Sequence, residues 1–178
     1  MEATKKWSVD ATHSKVQFSV KHMVIAQVTG EFKKYDLNIN NMNGSLESAE
    51  VEFSIDAGTV NTGMEDRDKH LKSPDFFDVE KFPKIYFKST SIKKVDDETY
   101  KMMGDLTIKN VTKPVELTVT YGGQIVDPWG NLRAGYNIEG SINRFDYDLT
   151  WNNLIETGGA VVGKNVKIIT DIELVTEK

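Results

Sequence analysis

The chain has no cysteine among its 178 residues. Disulfide frameworks, cysteine–zinc sites, iron–sulfur clusters and thiol nucleophiles are therefore excluded, and no thiol is present to report the redox state of a compartment. No run approaches the ~18 apolar residues of a spanning helix. The first residues, Met1-Glu2-Ala3-Thr4-Lys5-Lys6-Trp7, lack the apolar core of a secretion signal. The expectation is a cytoplasmic protein as written, or a periplasmic one if a leader was removed. Positive charge is not in excess either: 22 Lys and Arg face 27 Asp and Glu, a net charge of −5. That balance gives no global pull toward phosphate polymers or anionic bilayers. The lysine pairs 5–6, 33–34 and 93–94 are too short to make a nucleic-acid patch. Nucleic acid is thus not an expected partner, nor is the chain expected to be an integral membrane protein.

What is present is alternation, almost everywhere. Val16, Phe18, Val20 and His22 alternate with Lys15, Gln17, Ser19 and Lys21. Val51, Phe53, Ile55 and Ala57 repeat the pattern, as do Ile85 and Phe87 before Thr90 and Ile92. It returns in Tyr100, Met102, Gly104, Leu106 and Ile108, and in Val115, Leu117, Val119 and Tyr121. Ala134, Tyr136, Ile138, Gly140 and Ile142 follow, then Val166, Ile168, Thr170, Ile172 and Leu174. Period two is the signature of strands with one buried face. Between 28 and 39 the phase slips, from Val28 and Phe32 to Tyr35, Leu37 and Ile39, which reads as a bulge around Lys33-Lys34. Asn43-Gly44 signals a hairpin, and Asp96-Asp97-Glu98, Asn110, Gly122-Gly123 and Asp127-Pro128-Trp129-Gly130-Asn131 mark further turns. Short turns imply antiparallel neighbours. No helical pattern is long enough to cover the sheet, so the sheet must cover itself. The expectation is an all-β fold with eight antiparallel strands in a single domain over 1–178.

One helical insertion is expected near 61–80. Thr62-Gly63-Met64-Glu65 reads as a capping box, and Ser73-Pro74 ends the helix. Asp75-Phe76-Phe77-Asp78 adds a second turn. Such an insertion packs over a barrel mouth, with Phe76 and Phe77 turned inward.

Few motifs carry chemistry. Gly158-Gly159-Ala160-Val161-Val162-Gly163-Lys164-Asn165 nearly spells a phosphate-binding loop. Asn165 stands where Ser or Thr is needed, and a strand pattern follows instead of a helix. His13, His22 and His70 lack the spacing of metal pairs on a strand or helix, so no metal or other cofactor is expected. His22 continues an inward face, whereas Ser14 beside His13 points away from it, which is no triad. In Asn143-Arg144-Phe145-Asp146-Tyr147-Asp148-Leu149-Thr150-Trp151, apolar residues alternate with one Arg and two Asp. Either an Arg–Asp pair ties down a closing segment, or the segment anchors the polar head of a ligand.

The stretch Asp10-Ala-Thr-His13-Ser14-Lys-Val-Gln-Phe18-Ser-Val20-Lys-His22 resembles the opening motif of the YceI-like family of bacterial polyisoprenoid-binding proteins. Asp68-Lys-His70-Leu71-Lys72-Ser73-Pro-Asp75-Phe76-Phe77-Asp78-Val-Glu-Lys-Phe82-Pro83 is similar to its central signature. Phe87-Lys-Ser89-Thr90, Gly104-Asp-Leu106-Thr107-Ile108-Lys-Asn-Val111-Thr112-Lys113-Pro114-Val115 and Asn143-Arg144-Phe-Asp146 follow in order, from about Trp7 to Leu174. The resemblance implies a lipocalin-like barrel whose hollow interior holds a long isoprenoid or similar amphiphile. It carries over no catalytic residue.

Physics leads to the same place, since a closed eight-stranded barrel either fills with side chains or holds one small ligand. The leading reading is non-catalytic binding, storage or transport of a long apolar lipid of polyisoprenoid, isoprenoid quinone or fatty amide type. A homodimer is a further expectation. Expected lumen residues are Val16, Phe18, Val20, Leu37, Phe53, Ile55, Phe87, Met102, Leu106, Leu117, Val119, Tyr136, Ile138, Ile168 and Ile172, with Phe76 and Phe77 at the mouth. Gly104 and Gly140 are expected to give local room, and His22 and Arg144 to meet the head group. The alternative is a lipid-modifying enzyme using His13, His22, Arg144 and Asp146 for acid–base work. A third reading is an interaction protein whose barrel is simply filled.

Overall fold

A computed structural model of the chain describes residues 6–23, 25–42, 45–152 and 162–176. The strands are β1 (Trp7–Val9), β2 (Lys15–His22), β3 (Ala26–Phe32), β4 (Tyr35–Asn40), β5 (Glu50–Asp56), β6 (Val60–Asn61), β7 (Lys84–Lys94), β8 (Thr99–Ile108), β9 (Val111–Val126), β10 (Leu132–Asn143) and β11 (Val162–Thr176), and one α-helix, α1 (Glu65–Lys72), lies between β6 and β7. They form one antiparallel sheet in the order β4-β5-β7-β8-β9-β10-β11-β2-β3-β6, with β1 also paired to β11. The fold is all-β, as the alternation requires, and lipocalin-like, as the family resemblance implies.

Among the described residues, eleven strands stand where eight were expected. Two of the additions, β1 and β6, have three and two residues, too short for a periodic signal. The third comes from the phase slip. Residues on its two sides belong to opposite ends of the sheet: Phe32 pairs with Val16 and Val60, whereas Tyr35 pairs with Ile55. The run is therefore a corner that joins the two ends, and not a bulge within one strand. Thr59 fastens the corner, its Oγ1 accepting from the backbone N–H of Lys33 and of Lys34 at 3.1 Å each.

Turns follow local chemistry with one exception. Asp96 Oδ1 accepts from the N–H of Glu98 and Thr99, closing β7 onto β8. Asp127 Oδ1 does the same for Trp129 and Asn131 between β9 and β10. Gly122-Gly123, expected as a turn, lies inside β9. Gly135 pairs with Gly123 and Tyr136 with Tyr121, so one residue is extra, and Gly123 absorbs it at φ +114°. The hairpin expected at Asn43-Gly44 and residues 158–161 of the glycine-rich stretch lie outside the described residues. Lys164 and Asn165 belong to β11.

α1 starts two residues later than the capping box suggests. Its N-cap is Met64, which makes no side-chain cap bond. Thr62 instead donates both its N–H and its hydroxyl to Asp68 Oδ1, at 2.8 and 2.6 Å. The helix ends at Ser73, as Ser-Pro requires.

Candidate functional site

The inner face of the sheet encloses a cavity of about 500 Å³, inside the ~300–1,000 Å³ range of ligand pockets. β2 contributes Val16, Phe18, Val20 and His22 to its wall, and β5 contributes Phe53 and Ile55. Phe87, Met102, Leu106, Leu117, Ile138 and Ile168 line it from β7 to β11. The insertion adds Phe76 and Phe77, Phe76 being 7% exposed. Ile85, Ile142 and Val166 also line it, and their places on the alternating faces made them findable. Leu71 lies on α1 and Trp151 on an irregular segment, where period-two alternation has no grip.

Four expected lumen residues are elsewhere. Tyr136 faces Tyr121 and Ile172 across its two neighbouring strands, and Val119 faces Tyr100 and Ile138. The rings of Tyr121 and Tyr136 are 5.4 Å apart. Tyr100, Val119 and Ile172 are buried away from the cavity wall, and burial pushes the Tyr136 hydroxyl up to about 12. Leu37 pairs with Phe53 and packs against the core without reaching the cavity. Period two identifies the side of a sheet, not the height along a barrel.

Glycines shape the wall differently from expectation. A β-carbon on Gly104 would collide with the Phe87 ring, and one on Gly140 with Leu117. The room they leave is already occupied by those side chains. Gly30 has the same relationship with Phe18. Each large side chain lies back over a glycine, and the space in front of it stays open.

The cavity lining also includes polar groups. Arg144 is one of them and is 2% exposed. Its Nε donates to Gly163 O at 2.7 Å, Nη1 to Leu149 O at 2.6 Å and Trp151 O at 2.9 Å, and Nη2 to Val162 O at 3.2 Å. Burial pulls its pKa below the usual arginine value. The expected Arg–Asp pair is absent among the described residues: Asp146 is exposed, and Asp148 lies 3.7 Å from Lys109. Arg144 faces inward because Asn143 caps the 3₁₀ turn Arg144–Tyr147, accepting from Phe145 N–H at 3.0 Å. His22 pairs with Val162 across β2 and β11. On the insertion, His70 Nε2 donates to Asp75 Oδ2 at 2.8 Å, and the ring meets those of Phe76 and Trp151 edge-on at 5.0 and 4.7 Å.

His13 is on the outside. It bonds Asp10 Oδ2 at 2.9 Å, and Arg133 Nη1 reaches the same oxygen at 2.6 Å. Arg133 also binds Glu173 at 2.9 Å and Asp127 at 2.7 Å. The bond from His13, with that from Arg133 behind it, holds Asp10 at about 2 against its burial. Asp127 is held at about 2, first by Arg133. Candidate ligand atoms of Asp10, His13 and Glu173 lie within 4.8 Å of one another. Arg133 already bonds both carboxylates, so the group is an ion-pair network tying β10 and β11 to the chain's start. Of the four residues in the acid–base reading, only His22 and Arg144 share the cavity.

A family model described as the YceI-like domain matches residues 7–174. A UPF0312 protein of Staphylococcus epidermidis is 36% identical over 169 residues, covering 94% of this chain and 96% of its own. BcnA of Burkholderia cenocepacia superposes with a TM-score of 0.80 at 22% identity, over 93% of this chain and 98% of its own. A polyisoprenoid-binding domain from Saccharophagus degradans, implicated in plant cell wall breakdown, superposes with a TM-score of 0.69 at 16% identity, over 98% and 100%. These likenesses under 25% identity speak for a shared fold.

Proposed function

The chain belongs to the YceI-like family, and on that premise we propose that its barrel binds a long apolar lipid and carries or stores it unchanged. The observation that supports this reading is the cavity itself. About 500 Å³ of open space is walled mostly by aliphatic and aromatic side chains, with Arg144 and His22 also in its lining. Water in such a space finds few partners. A hydrocarbon tail gains about 0.8 kcal/mol for each methylene it buries, before ordering costs. The polyisoprenoid-binding neighbour from Saccharophagus degradans has the same fold. A polyisoprenoid, an isoprenoid quinone and a fatty amide all have the required tail. A carrier needs no convergent acid and base, and neither His13 nor Asp146 lines the lumen.

Extraction of purified protein with organic solvent, followed by mass spectrometry, tests the reading. One stoichiometric long-chain lipid is the expected result. A clean extract, together with failure of the emptied protein to bind any long-chain probe, would sink it. Chemical turnover of the extracted lipid by the protein would replace carriage with catalysis.

A further inference from the structure

We propose that the protein docks on a lipid bilayer through the tip of the β2–β3 hairpin, Met23 and Ile25, and exchanges its cargo there at the adjoining end of the cavity. This rests on the lipid-binding reading and adds the surface from which the lipid is drawn. Turns between strands ordinarily take Gly, Asn, Asp, Pro or Ser. None of these stands between residues 23 and 26. Ile25 is 92% exposed, the most exposed large apolar side chain among the described residues. Met23 is exposed in the same turn, and its backbone is left-handed, with φ +56°. Asn or Gly would take that conformation with less strain. The tip thus forgoes solvation and turn preference together, and apolar side chains held in water in this way mark a contact surface.

The place of the tip identifies the partner. The last pair of the hairpin before the turn is His22 with Ala26, and His22 lines the cavity. Val162, which faces His22 from β11, lines it too. The apolar tip therefore stands directly beyond one end of the lumen. A long apolar lipid resides in bilayers and barely dissolves in water, so a carrier meets its cargo at a bilayer surface. The charges beside the tip suit that surface. Lys21 and Lys164 are exposed on the adjoining ends of β2 and β11, and no carboxylate stands on β2, on β3 before Glu31 or on β11 before Asp171. The two lysines would meet anionic head groups while Met23 and Ile25 enter the acyl boundary. The β9–β10 hairpin supplies a contrast. Ile125 on it is 66% exposed, but it does not line the cavity. That hairpin stands at the other end of β11, where Arg133 pairs with Val175, and its turn carries Asp127.

Flotation of the full chain with vesicles of phosphatidylcholine and phosphatidylglycerol, about three parts to one, tests the docking. The parent is expected to float with the vesicles. Ile25→Asp changes a side chain that is almost wholly in solvent, so the fold is expected to hold, and vesicle binding is expected to weaken about tenfold or more. Ile125→Asp, equally a loss of exposed apolar surface, is expected to stay within about twofold of the parent. Met23→Asn is expected to weaken vesicle binding by about threefold or more while Tm holds or rises, because Asn suits the left-handed backbone. Loading is the second readout. Geranylgeraniol offered in vesicles is expected to reach Ile25→Asp about tenfold more slowly than the parent, whereas geranylgeraniol added from ethanol is expected to bind both equally at equilibrium. A parent that does not float, or an Ile25→Asp that floats and loads like the parent, overturns the docking and leaves lipid binding intact. If the parent takes up no geranylgeraniol even from ethanol, the lipid reading falls and the docking with it. A parent that sediments as a dimer and ignores vesicles, with Ile25→Asp a monomer, would give the tip to a second copy of the chain and overturn the proposal.

Discussion

The far end of the Phe18 ring lies 2.5 Å from the point a β-carbon would occupy on Gly30, its direct partner across β2 and β3. The ring uses the side of the strand that glycine leaves bare. Phe18 also meets Phe32 at 5.5 Å, and Phe32 meets Phe77 at 5.7 Å. A line of aromatic contacts thus runs from the wall to the insertion. The openness of the lumen depends on glycine here, because a ring that cannot lie back must swing forward.

Gly30→Ala should therefore cost twice. The added methyl forces Phe18 off its seat, a kind of overpacking that destabilises by about 1–3 kcal/mol. The displaced ring also enters the lumen and lowers lipid affinity. Phe18→Leu in the same background should restore both, since the shorter side chain clears the methyl. Denaturant titration and lipid binding on the single and double variants check this. A double variant no better than the single one would show that the close approach does not limit the lumen.

The insertion hangs from Asp68. Its Oδ1 accepts two bonds from Thr62, and α1 itself has no buried residue. Replacing Asp68 by Ala frees the N–H and hydroxyl of Thr62, a loss comparable to that of a helix cap at about 1 kcal/mol. The expected signature is local. Hydrogen exchange should quicken across 62–72 while β8 and β9 stay protected. Uniform acceleration through the sheet would mean that the insertion unfolds only with the whole domain.

Acid should act through Arg133 and its carboxylates. Asp10 and Asp127 are both held at about 2 in the folded protein, against about 3.9 for a free aspartate. Folding thus favours their charged forms. Their contribution is complete above about pH 5 and is lost as pH falls through 4 toward 2. Asp127→Asn should lower Tm at pH 6, and the gap to the parent should narrow by pH 2. Parallel Tm curves over that range would show that Asp127 is not part of the acid response.

The strands were legible because burial on one face forces period two, and that pattern needs no knowledge of partners. Arg144 was visible as a lone cation among apolar residues. Its partners were not, since Gly163, Leu149, Trp151 and Val162 supply backbone carbonyls, which no side-chain pattern encodes. The nearby Asp146 and Asp148 suggested a pair that the 3₁₀ turn points apart. Tyr136 and Val119 were placed on the correct side of the sheet and at the wrong height. Height depends on how far each strand slides past its neighbour. That slide is set by irregularities such as the extra residue at Gly122–Gly123, which reads in the sequence like any other glycine pair.

Filling the lumen separates a binding chamber from an imperfectly packed core. Ile138 lies in the wall on β10, 8% exposed, with open space before it. Ile138→Phe adds volume that a tight core would reject at about 1–3 kcal/mol. Here the ring has room to enter the cavity, so Tm is expected to stay level or rise as empty space is replaced by contacts. Lipid occupancy after purification is expected to fall roughly tenfold or more, because ring and tail compete for the same volume. The parent and the variant would be compared by thermal melting and by lipid quantified per mole of protein. A variant that keeps its full lipid load would place the tail somewhere other than this cavity. A variant that loses lipid and several kcal/mol of stability together would show a core too tight to hold a tail.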